Sequence, residues 1–95
     1  MSLSELELWY ASQCNGDWEH SYGVKIGTLD NPGWRVHIDL QGTAGQDAEL
    51  ERVQLARTDT NWIHYRVEKK AFNIACGPTN LTEAVRIFVR WFESQ

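Results

Sequence analysis

Proline and cysteine are both scarce in this chain, two of each in 95 residues. With only Pro32 and Pro78, no stretch can form a stiff polyproline linker. Cys14 and Cys76 are far apart and neither belongs to a CxxC pair, which excludes a disulfide scaffold and a cysteine-based zinc site. Two small buried residues in a reducing compartment is the simpler reading. No apolar run approaches the ~20 residues of a membrane helix. The start, Met1-Ser2-Leu3-Ser4-Glu5, lacks the basic and apolar regions of a secretory signal, so a cytoplasmic protein away from the membrane is expected. Excess positive charge is missing too. The net charge of −4 argues against a nucleic-acid binder, whose affinity depends on clustered Lys and Arg releasing counterions.

What is present is an ordinary folding composition, 42% hydrophobic and 23% charged, which suits a single domain over residues 1–95 with one modest core. The charge is uneven. Residues 1–51 hold nine acids against Lys25 and Arg35, whereas residues 52–95 hold seven bases against four acids. An acidic half of this kind can steer a basic partner at long range.

Periodicity divides the chain into seven elements. Ser4 and Glu7 have the spacing of a capping box, and Leu6, Trp9, Tyr10 and Gln13 follow at helical spacing, predicting a helix from Ser4 to Cys14 that Asn15-Gly16 ends. From Tyr22 the period becomes two, giving a strand to Thr28. Asn31-Pro32-Gly33-Trp34 has the chemistry of a type II turn, and Trp34, Val36, Ile38 and Leu40 form the apolar side of a second strand. Gln41 to Glu49 reads as a loop, and three more strands are expected at Leu50–Arg57, Trp62–Glu68 and Ala71–Cys76. After Gly77-Pro78, Asn80 and Glu83 repeat the capping-box spacing, and Leu81, Ala84, Val85, Phe88 and Phe92 stripe a helix over 80–93. The expected fold is α+β: an antiparallel five-stranded meander with an N-terminal and a C-terminal helix on one face.

Most of the unusual chemistry lies between Cys14 and Trp34. Asp17, Trp18, Glu19 and His20 are consecutive in a predicted loop, and Asp30 and Asn31 occupy the next turn. Glu19 or His20 could serve a small hydrolase as general base, but adjacent residues seldom converge on one atom, and neither Ser21 nor Cys14 sits in a nucleophile motif. Asp17, Glu19, His20 and Asp30 form no HExxH or EF-hand pattern, so no metal and no cofactor is expected. His37 and His64 fall on polar strand faces, where solvent-facing histidines are common. Of the five tryptophans, Trp9, Trp34 and Trp91 fall in apolar stripes. Trp18 either anchors a partner within a ring of acids or closes the open end of the sheet, and Trp62 is equally unassigned. Exposed indoles would also suit a module binding carbohydrate or another small ligand.

The gapped pattern Trp9-Tyr10, Cys14-Asn15-Gly16-Asp17-Trp18-Glu19-His20, Gly23-Val24-Lys25-Ile26, Thr28-Leu29-Asp30-Asn31-Pro32-Gly33-Trp34 and Ile38-Asp39-Leu40 resembles the immunity protein 53 family. The similarity continues through Asn61-Trp62, Val67-Glu68, Gly77-Pro78 and Asn80-Leu81. It departs at Asn15, where the family usually has Asp, and at Cys76, where a small residue is common. The resemblance implies a non-enzymatic immunity protein of a bacterial polymorphic toxin system that occludes the active site of a cognate toxin. The acidic half would suit a basic, nuclease-like toxin. The expected contact residues are Asp17, Trp18, Glu19, His20, Asp30, Asn31 and Trp62.

Overall fold

A computed structural model describes residues 2–95. In chain order the elements are α1 (Ser2–Gln13), α2 (Trp18–Ser21), β1 (Val24–Leu29), β2 (Gly33–Asp39), β3 (Leu50–Ala56), β4 (Trp62–Glu68), β5 (Ala71–Cys76) and α3 (Leu81–Glu93). The α+β class and the five antiparallel strands agree with the periodicity, and no helix among the described residues is long and apolar enough to cross a membrane. The strands do not run across the sheet as a sequential meander. Their order is β1-β2-β5-β4-β3, so a β1-β2 hairpin is joined to a three-stranded meander through the β2-β5 pair. β5 takes the centre because Phe72, Ile74 and Cys76 on one face, and Ala71 on the other, are buried. The more polar β3, with Glu51 and Arg52, tolerates an edge.

One face of the sheet carries the core. Val36 and Ile38 of β2, Phe72, Ile74 and Cys76 of β5, and Ile63 of β4 are buried there beneath Ala84, Val85, Phe88 and Val89 of α3. α1 adds Leu6 and Trp9, one helical turn apart, and packs chiefly on α3: the Trp9 ring stands edge-on to Phe88 and Phe92 at centroid distances of 4.9 and 5.3 Å. Both helices therefore lie on the core face.

Local chemistry differs from expectation at three boundaries. α1 begins at Ser2, which places Ser4 inside the helix instead of at its cap. At α3, Asn80 makes no side-chain cap. Its buried amide turns to β4, accepting the Trp62 N–H at 3.2 Å and donating to Asn61 Oδ1 at 2.9 Å. Glu83, freed from the cap, pairs with Arg57, and the guanidinium hydrogen bonds lower its pKa. Gly33 lacks the positive φ of a type II turn. Glycine is required there because a Cβ would fall 2.2 Å from the carbonyl oxygen of Cys76, where β2 crosses close to β5.

Candidate functional site

The segment from Asn15 to Ser21 is a compact capping unit rather than an open loop. Asn15 Oδ1 accepts the N–H groups of Asp17 and Trp18, both at 2.9 Å, and starts the single turn of α2. Glu19 folds back onto the N–H groups of Asn15 and Gly16 at 2.9 and 2.8 Å. Its own backbone N–H and that of Asn15 stabilise the carboxylate and lower its pKa. A carboxylate held this way is tuned away from general-base work near neutral pH.

Trp18 is only 6% exposed. Its indole lies 5.9 Å from Trp9 and from Tyr10 and donates to the Gln41 carbonyl, so the ring closes the end of the core. Trp9 and Trp18 are buried, and Trp34, Trp62 and Trp91 are half-buried. Asp17 and His20 are exposed beside Trp18.

The other expected contact residues lie elsewhere. Asp30 and Asn31 are exposed in the β1-β2 turn, at the far end of β1 from α2, about 20 Å away by strand length. Trp62 starts β4 near that same end, half-buried, with its ring 5.0 Å from His64. The seven residues thus divide between the two ends of the sheet.

A groove of about 630 Å³ opens beside α2, between α1 and β1. Leu3, Tyr10, Tyr22 and Ile26 supply exposed apolar surface, Ile26 being 41% exposed, and Glu7, Glu19 and Asp39 add acidic groups against the single base Lys25. His20 also lines it. The groove exists because α1 leans on α3 instead of covering the β1 end of the core face. Sequence reading missed Leu3, Tyr10, Tyr22 and Ile26 because each fits an amphipathic stripe. The available signal was that α1 carries more apolar residues than one buried stripe can use, as exposed Leu3 and Leu8 show.

The opposite face of the sheet is uncovered and polar. Three cross-strand rows cross it: Arg35-Ala75-His64, His37-Asn73-Arg66 and Asp39-Ala71-Glu68. Small alanines on β5 leave a trough of about 470 Å³ between longer neighbours. His37 is held by Asn73 at 2.8 Å and Asp39 at 3.1 Å, and Arg66 pairs with Glu68. Among the described residues, no three His, Cys, Asp or Glu side chains are grouped to hold a metal ion. Both cysteines are free thiols. Cys76 is fully buried, and burial raises its pKa, which makes it a poor nucleophile.

No curated protein and no solved structure matches the chain. Residues 3–93 match the family model described as Immunity protein 53, from the second residue of α1 through the last residue of α3. The match spans nearly the whole chain, and on that ground the chain belongs to the immunity protein 53 family.

Proposed function

We propose that this chain binds a cognate bacterial toxin in the cytoplasm of the producing cell and neutralises it by occluding its active site, with the α1-α2-β1 groove as the docking surface. Family membership supports the immunity role. The observation that carries the choice of surface is the groove itself, where exposed Leu3, Tyr10, Tyr22 and Ile26 lie beside Glu7 and Glu19. Tyrosines with apolar neighbours supply contact area at low conformational cost, while acidic groups favour a basic partner and speed its approach. Asp17, exposed just before α2, adds a further acid to this end of the sheet. On this reading Trp18 acts indirectly, by fixing α2 against the core, and Asp30, Asn31 and Trp62 lie outside the primary contact. The protein is a stoichiometric binder, not a catalyst.

The test is co-expression of the chain, in a sensitive bacterial host, with a toxin domain taken from a gene neighbouring its own. Wild type is expected to restore growth, and purified toxin should be inhibited fully at a one-to-one ratio. Tyr22→Ala and Glu7→Lys should each weaken protection while the thermal transition stays cooperative. Full inactivation of toxin by a sub-stoichiometric amount of chain would instead indicate catalysis. Unchanged protection by both variants would move the interface off the groove.

A further inference from the structure

β1 has a free outer edge, and its pairing with β2 determines which of its backbone groups are free. The Asp39 N–H donates to the Gly23 carbonyl at 3.0 Å, and the register continues without interruption from Val24 opposite Ile38 to Leu29 opposite Gly33. In an antiparallel pair, hydrogen-bonded positions alternate with non-bonded ones. Lys25, Gly27 and Leu29 are therefore spent on β2. The N–H and C=O groups of Val24, Ile26 and Thr28 point outward.

The two edges of the sheet are not equivalent. β3 has a register shift between Leu50 and Val53 and places Glu51 and Arg52 there, both of which discourage a further strand. β1 has no bulge and no proline, and Lys25 is its only charged residue. The side chains of Val24 and Ile26 face the helix side, where the groove leaves them partly uncovered. An unpaired backbone edge and an apolar cleft thus adjoin.

We propose that an extended segment of the toxin adds to β1 as a sixth strand, bonding to the outward groups of Val24, Ile26 and Thr28. Its side chains facing the groove are apolar beside Ile26 and basic where they pass Glu7 and Glu19. Charge complementarity selects this occupant over a second copy of the chain: Glu7, Glu19 and Asp39 outnumber Lys25 along the groove, and two copies would bring two such acidic linings together. The inference rests on the toxin-binding reading above and specifies how that surface is used.

Amide hydrogen exchange tests it, with two probes: the toxin domain the chain neutralises, and a short synthetic peptide of alternating valine and threonine flanked by lysines. Both should slow exchange at Val24, Ile26 and Thr28 while the amides of Lys25 and Gly27, already bonded to β2, change little. Ile26→Pro removes one outward N–H without touching the β2 ladder and should weaken toxin binding about tenfold or more, whereas Ile26→Val keeps the N–H and should bind nearly as wild type. The wild-type exchange pattern decides the matter even if the proline variant folds poorly. Toxin protection confined to other residues, or a folded Ile26→Pro variant that binds toxin as wild type does, overturns the strand addition and leaves the immunity reading standing. Protection of these amides in the chain alone, with sedimentation as a dimer, overturns the choice of occupant. If the chain neutralises no toxin, the immunity reading falls, and the peptide arm still reports whether the edge accepts a strand.

Discussion

The indole N–H of Trp18 donates to the carbonyl oxygen of Gln41 at 2.7 Å, tying the single turn of α2 to the turn that follows β2, across 23 residues of chain. Gly42 follows with φ +78, and a Cβ there would come within 3.2 Å of the Trp18 ring. Trp18→Ala should therefore cost about 3–5 kcal/mol, the range for emptying a core aromatic site. Urea titration checks it. Any loss of toxin protection in that variant would follow from lost folding, which is why Tyr22 and Glu7 are the cleaner interface tests.

Glu19 sets a pH dependence. Its folded-state pKa is lowered, first by its own backbone N–H and then by that of Asn15. The contribution is therefore present above the ordinary carboxylate pKa and fades as pH falls through the lowered folded value. Glu19→Gln should remove that dependence, so the stability difference from wild type should shrink as the solution is acidified from neutral pH. Melting temperatures of both proteins across the acidic range measure it. A constant difference would mean that Glu19 acts through shape alone.

The β4-β5 turn stores strain. Lys69 and Lys70 have φ of 54 and 59, the left-handed pair of a tight hairpin turn that favours Asn-Gly. Replacing them with Asn and Gly should stabilise the fold by about 1 kcal/mol, after allowing for the extra freedom glycine brings to the unfolded chain. The Lys70 contact with exposed Asp47 is lost, at little cost. Thermal unfolding should show the rise.

Asn80 is a buried polar bridge. Asn80→Ala leaves the Trp62 N–H without its partner and should cost about 1–3 kcal/mol. Gly77→Ala should disturb the same corner, since a Cβ there would fall 2.6 Å from both Asn80 Oδ1 and the Thr60 carbonyl oxygen. Chemical denaturation of the two variants measures each loss.

Association with the toxin should slow as salt rises, because the acids beside the groove act at long range and are screened over about 10 Å at 0.1 M ionic strength. Stopped-flow association rates across a salt series check this. A salt-independent rate would leave the groove with apolar recognition only.

The elements themselves were legible from local pattern: alternation set the strands, and the apolar stripe of α3 set the face it buries, because these periodicities follow from backbone geometry alone. The short α2 was not legible, since one turn has no period. Its existence depends on Asn15 and Glu19 capping the turn and on Trp18 finding Gln41 from a distant element. Nor could residue types separate Asp17 and His20 from Asp30 and Asn31. They are close in sequence, but the length of β1 sends them to opposite ends of the sheet.

Residue type and spacing alone carried α1, α3, the strands, the acidic first half and the family resemblance. The tertiary structure decided that β5 lies between β2 and β4, that Trp18 is core and that β1 is an open edge beside a groove. Each of those depends on which surfaces meet across long chain separations, and no local period encodes that choice.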